Sequence, residues 1–410
     1  MNKVTMAAAI CALAFSSAAT AQVELSEDQF RELVAENSYP ISRVSGELSG
    51  PGYDFLIESG TDAQFFLLGE QHGTADIAIF SEDIYRGLAA VGYDTAVVEI
   101  GPFSTETLED LLRDDDPLAL EKLILEDDNL LTFPFVFYAE EVDFLREVIA
   151  SSPDQTALWG VDQEFIGGSR LVAEMVADEA VTLNQREAAA AFQAAAAEDI
   201  MHVGIADETY WAELEAAFAG TEGTRGHMLV QELIRTNRIY APFTNRPGSG
   251  YWANFERENL MKTNFLAAFN AATEIGGPAP RVFAKMGANH TSYGRSPTDV
   301  FAFGNFLNEW GLADGFETFN VHVDCRGGSS LDPRTEEAVP CETYFLANGG
   351  ILADIVANSP TAVIDLRPLR RFARHWEFID EETHRLIMSY DAYVALPDVA
   401  AASLVSMPED

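Results

Sequence analysis

A glutamate and a histidine two positions apart, Glu70 and His72, follow the apolar run Phe65 to Leu68 in FFLLGEQHG. A carboxylate beside an imidazole is the minimum for an acid/base pair, and it equally offers two donors to a metal ion. The arrangement recurs along the chain. TAVVEIG puts Glu99 after Val97 and Val98, and RVFAKMGANH puts His290 soon after Val282, Phe283 and Ala284. Ionisable residues that follow apolar strands lie at the carboxyl edge of an α/β sheet, where ligands bind. One such residue is usually a hydrogen-bonded core group. Several together point to a single crevice holding Glu70, His72, Glu99 and His290. Asp162 and Glu164, after ALWGV, would reach the same edge. Lys285 lies five residues before His290, and Arg257 takes a helix position facing the core edge if Leu260, Met261 and Phe265 are buried. With Asp162 and Glu164 they form the candidate substrate-binding set; internal ion pairs are the alternative for the two cations, and Asp162 and Glu164 fit supporting or helix-capping roles better than catalytic ones.

These residues need strands and helices to carry them. Strands are expected at Phe65–Leu68, Thr95–Glu99, Ala157–Val161, Val282–Met286, Phe319–Val323 and Ala362–Leu366, from short apolar runs bounded by turn residues. Helical spacing runs from Asp76 to Val91, with Ile77, Phe80, Ile84 and Leu88 on one face. Residues 104–152 read as two or three helices broken at Pro117 and Pro134, the last from Val136 to Ile149. Residues 24–60 are polar and short-patterned, with Gly46, Gly50, Pro51 and Gly52 marking a loop before the first core strand. Alternating strands and helices predict an α/β fold, with a mostly parallel central sheet flanked by helices. Residues 169–245 change character to alanine-rich helix and read as a helical insertion, a candidate lid. It divides a catalytic core made of residues 22–168 and 246–400.

The termini and composition set the compartment. Lys3, an apolar stretch from Met6 to Phe15 and Ala19-Thr20-Ala21 have the order of a secretory signal over residues 1–21. The expected location is therefore periplasmic or secreted. No later segment is long and uncharged enough to cross a bilayer, so no integral membrane association is expected. Cys11 lies within the signal. Cys325 and Cys341 remain after cleavage, as one disulfide or as two buried thiols. A bridge of that span would stabilise by about 3 kcal/mol. Lys and Arg total 25 against 66 Asp and Glu, a net charge of −41 that repels nucleic acid and anionic membranes. A small-molecule substrate is the expected partner. The sequence carries no signal of oligomeric state.

In order, the motifs resemble those of the erythromycin esterase-like proteins, within a wider superfamily that includes ChaN-like haem-uptake proteins and Tiki/TraB-type proteins. The matching stretches are LGEQHG (Leu68 to Gly73), VVEIG with Glu99, EVDFL followed by GVDQE (Gly160 to Glu164), RENLMKTN from Arg257, and GANHTS with His290. They span most of residues 60–295. The chain departs from the esterases in two places. One residue, Gln71, separates Glu70 from His72 where they usually carry two, as in the ChaN-like branch. Gly287 stands where they usually have a second histidine. The resemblance is to a divergent member, and macrolide specificity is not carried over. It implies an α/β core with helical insertions, a deep cleft, and hydrolysis by His and Glu with no required metal.

Ester or lactone hydrolysis needs an activated water, a stabiliser for the oxyanion and a proton for the leaving alkoxide. No GxSxG elbow is present, which argues against a serine nucleophile. Water activation falls to His72, oriented by Glu99. His290 would serve the oxyanion or the leaving group, and Glu70 would fix a histidine tautomer or share the base role. Two alternatives stay open. Glu70, His72, Glu99 and His290 are also a donor set for a divalent metal, as in a metal-dependent hydrolase or protease of the Tiki/TraB type. A non-catalytic haem-binding protein would need an axial ligand such as His290 or Tyr293. His202, His227, His322, His375 and His384 lack comparable acidic contexts and read as structural or surface residues.

Overall fold

Eight strands form one central sheet: β1 (Ser38–Pro40), β2 (Phe65–Glu70), β3 (Tyr93–Val98), β4 (Leu158–Gly160), β5 (Arg281–Gly287), β6 (Thr318–Cys325), β7 (Ala362–Asp365) and β8 (Ala392–Leu396). The computed structural model describes residues 26–407 apart from 153–155, 245 and 275–277, and apart from the side chains of 127 and 128. The expected signal and Cys11 therefore lie outside the described residues. The strand order is β1-β7-β8-β6-β2-β5-β3-β4. From β8 to β4 every neighbouring pair is parallel, and β1 and β7 close one edge antiparallel. The fold is α/β with a mostly parallel sheet.

Parallel strands covered by helices on both faces are apolar throughout, because neither side meets water. Phe65 to Leu68 is fully buried for this reason. Phe66, Leu68, Ala96, Val98 and Phe283 face α1 (Ala75–Ala89) and α3 (Ala139–Ser151), packing on Ile84, Leu88, Phe144 and Val148. Phe65, Leu67, Val97, Ala284 and Met286 face α4 (Gly250–Glu274), on Met261, Phe265 and Phe269. Each large side chain so buried contributes about 1.5–3 kcal/mol. Between β3 and α3 lies α2 (Pro102–Leu112), which begins on Pro102. Four further helices, Ser169–Asp178, Leu183–Glu198, Glu208–Ala217 and Arg225–Tyr240, close on an apolar cluster of their own that includes Val172, Phe192, Trp211, Leu214 and Leu233.

Residues 26–60 hold more regular structure than the polar pattern around the expected Gly46–Gly52 loop suggests. They hold a helix at Glu27–Glu36, strand β1, a hairpin of Ser42–Val44 with Glu47–Ser49, and a helix at Pro51–Asp62. Local chemistry explains both helices. Ser26 and Gln29 form a reciprocal capping box, and Pro51 starts the second helix where its missing N–H costs nothing. Strand β8 was not expected either; its AYVAL run is five residues long and sits directly after a helix.

Candidate active site

The sheet register brings the site together. Leu68 and Val98 lie on either side of Lys285, and Glu70 lies beside Gly287. The carboxyl ends of β2, β5 and β3 therefore share one rim, with Glu70 ending β2 and Glu99 directly following β3. His290 sits in a single helical turn, Ala288–Thr291, directly after β5. Side-chain alternation sends Lys285 to the α3 face, where it meets Glu141. It sends Glu99 to the α4 face, where Arg257 and Glu258 wait.

The groups form a chain of alternating charge. Lys285 Nζ lies 2.7 Å from Glu141 and 2.6 Å from Glu70 Oε2. Glu70 Oε1 is 3.0 Å from His72 Nδ1, and His72 Nε2 is 3.7 Å from Glu99 Oε2. Glu99 accepts from Arg257 at 2.6 Å and from the Gly287 N–H at 2.9 Å. His290 Nε2 stands 3.3 Å from Glu99, and its Nδ1 is 2.7 Å from Glu258. Glu258 also accepts the Phe303 N–H, and Asp162 pairs with Arg257 through both carboxylate oxygens. The close approach of β5 to His72 requires a glycine: a Cβ at position 287 would lie 2.8 Å from His72 Nε2.

Burial and charge compete at every member. Burial pushes the Glu99 carboxyl up, yet His290, Arg257 and His72 overcome it and hold the group well below the usual carboxylate range. Burial also opposes Glu70, and Lys285 with His72 brings it down. Glu141 goes the other way, raised by burial despite Lys285. Burial and Arg257 would lower His290, but Glu99 and Glu258 push it up to about 10. His72 is likewise raised, with the Glu70 hydrogen bond and Glu99 outweighing burial. At neutral pH His290 is an imidazolium held between two carboxylates.

Two members meet the surface. The His72 side chain is 30% exposed and that of Arg257 24%, against 10% for His290 and 4% for Lys285. The Phe135 ring stacks on His72 at 4.0 Å between centroids, and its backbone is held at φ 66, a strained conformation for an aromatic residue. Beneath lies a cavity of about 30 Å³ lined by Glu70, His72, Glu99, Phe135, Phe144 and Lys285, room for one water.

The structure thus brings together Glu70, His72, Glu99, Asp162, Arg257, Lys285 and His290. Glu164 stands apart from them: its carboxylate accepts the N–H of Phe103 and Ser104 and the Ser104 hydroxyl, capping α2. Tyr293 gives its hydroxyl to Asp391 at 2.7 Å. Glu141, Glu258 and Phe135 are site members that motif reading did not single out. The first two lie inside stretches that it quoted, at helix positions facing the sheet edge. Phe135 carries no sequence signal. His322 is a core residue, its Nδ1 3.1 Å from the Gly69 carbonyl.

An erythromycin esterase mutant in its open conformation superposes with a TM-score of 0.62 at 11% identity, over 90% of this chain and all of the other. The chain has an erythromycin esterase-like fold. A Bacillus cereus protein gives a TM-score of 0.59 at 14% identity over 93% of this chain and all of that one. A succinoglycan biosynthesis protein gives 0.59 at 11% identity over 92% of this chain and 99% of that one. No family model matches the sequence, and no curated protein is significantly similar to it. At these identities the esterase-like fold is what is shared. Among the described residues, no helix is long and apolar enough to cross a membrane.

Proposed function

We propose that this chain is a periplasmic or secreted hydrolase that cleaves an ester or lactone of a small molecule with water activated by His72. One observation carries the reading: His72 is open to the surface, is backed by Glu70, and borders a cavity sized for one water. In the neutral ring the Nδ1 proton is donated to Glu70 and Nε2 is the basic nitrogen; because Glu70 and Glu99 raise His72, this form gains as pH rises past the ordinary histidine value, and hydrolysis should rise with it. Nε2 takes a proton as the water oxygen bonds to the carbonyl carbon. Charge developing on the carbonyl oxygen faces Arg257, whose guanidinium is held by Glu99 and Asp162. His72 then returns the proton to the departing alkoxide, which leaves an acid and an alcohol. His290 keeps the positive charge that holds Glu99 ionised. Export is supported by the Cys325–Cys341 disulfide.

The residues do not fit a divalent metal. Both nitrogens of His290 already face carboxylates, and Lys285 and Arg257 supply the cations that Glu70 and Glu99 would otherwise give to an ion. Haem fares no better, since neither His290 nor the Tyr293 hydroxyl is free to ligate iron. The test is a panel of esters and lactones, with and without chelator, on wild type and His72→Ala. Hydrolysis that survives the chelator and falls about 10²–10⁴-fold in the variant is the expected result. Hydrolysis at the wild-type rate in the variant would remove His72 as the base, and loss of activity to the chelator would turn the reading to a metal.

A further inference from the structure

The segment closed by the disulfide touches both histidine-bearing loops. Cys325 ends β6 beside β2, and Cys341 follows a hairpin of Ser329–Asp332 with Glu337–Pro340. On one side the Leu331 N–H donates to the Gly73 carbonyl at 2.8 Å, one residue past His72. The Leu331 carbonyl accepts the Tyr138 hydroxyl at 3.2 Å, and the bridging sulfur of Cys325 lies 3.4 Å from the Gln71 side-chain oxygen. Gly73 has φ +83, and a Cβ there would come within 2.7 Å of the Leu331 carbonyl, so the contact admits only glycine. On the other side Tyr344, three residues past Cys341, donates its hydroxyl to Asn289, the neighbour of His290. The Tyr344 N–H is tied to the buried Asp324 carboxylate, next to Cys325, at 3.0 Å.

We propose that the Cys325–Cys341 segment is a clamp that positions the loops carrying His72 and His290, with Leu331 and Tyr344 as its two positioning contacts. This rests on the hydrolytic reading for its catalytic consequence but not for its mechanical one. With the bridge intact, the cross-link joins the end of β6 to the segment between the hairpin and Tyr344. When it opens, the hairpin keeps its hydrogen bonds to Gly73, Val399 and Ala401, each worth about 1 kcal/mol, and the packing of Leu331 beside Phe137 and Tyr138, but the loop regains the freedom that the bridge had removed. A misplacement of about 1 Å at a catalytic base costs on the order of 10²-fold in rate.

The test reduces the full chain with a dithiol. The reagent supplies two electrons and two protons, leaves a thiol on each cysteine and ends as its own cyclic disulfide. Hydrogen–deuterium exchange over 70–74 and 286–292 should accelerate at least tenfold, with the helices of α1 and α4 unchanged. The kcat for ester hydrolysis should fall at least tenfold with KM within twofold. Tyr344→Phe, which keeps the disulfide and the fold, should loosen 286–292 alone and give a smaller fall in kcat. Exchange that stays the same in both segments after reduction overturns the clamp, as does a loosened clamp with unchanged kcat. If no ester is hydrolysed by wild type, the hydrolytic reading fails while the exchange data still decide the clamp.

Discussion

Glu99 and Glu164 make an instructive pair. Both are buried glutamates near the ends of adjacent strands, β3 and β4, and both accept hydrogen bonds from backbone N–H groups. Their ionisation goes opposite ways. Glu99 has Arg257, His290 and His72 about it and lies well below the ordinary carboxylate range. Glu164 has neutral donors from Phe103 and Ser104 and the repulsion of Glu106, and burial carries it up to about 7. Three hydrogen bonds from neutral groups do not offset full burial of the charge, whereas two or three cations do. The rim of the sheet therefore has two zones: a charge-matched one around His72, and a helix-capping one around Glu164.

The largest effect that would break this contrast is Arg257→Ala. It strands Glu99 and Asp162 in the interior, so stability should fall by about 3–5 kcal/mol in denaturant melts. Hydrolysis should fall about 10²–10³-fold with the lost oxyanion partner. A variant as stable as wild type would mean that Glu99 is not ionised in the native protein. Next in size, Gly287→Ala pushes a methyl against His72. We expect kcat to drop about 10–100-fold, since a displacement under 1 Å is enough, at a stability cost of about 1–3 kcal/mol. Equal kcat would show that β5 does not set the position of the base.

Glu164→Gln leaves hydrolysis untouched, the smallest effect on activity, and gives the sharpest contrast in stability. The folded group is raised above its ordinary value, so folding favours the protonated form. Its contribution is fully present below about 4.5 and is lost as pH rises through about 7. The loss is on the order of 3 kcal/mol. Glutamine keeps the acceptor and does not titrate, so the variant's stability should stay level across that window while wild type declines. Parallel curves for the two proteins would show that Glu164 does not titrate in this range.

Much of the charge-matched zone was legible because the strands that carry it are continuous apolar runs, and a parallel sheet gathers their carboxyl ends at one rim. Glu70, His72, Glu99 and His290 follow from that rule alone. What the sequence hid was geometry set by packing. Glu258 is invisible as a site residue until the α4 face is fixed by Met261 and Phe265. Phe135 lies over His72 through one strained backbone position. A capping role for Glu164 was foreseeable, but that it caps α2 through Phe103 and Ser104 is fixed only by the packing of β4 beside β3. The helix at Glu27–Glu36 was readable, since its capping box stands in the sequence, but the polar composition around it masked the signal.

The central claim is that His72 and His290 are unequal: an accessible base and a buried permanent cation in one charge-matched chain. NMR titration of the two imidazole rings tests it most directly. The account predicts that His290 keeps its proton up to about pH 10, and that His72 titrates above the ordinary histidine value of about 6.5. A neutral His290 at pH 7, or two rings titrating together at the ordinary value, would contradict it.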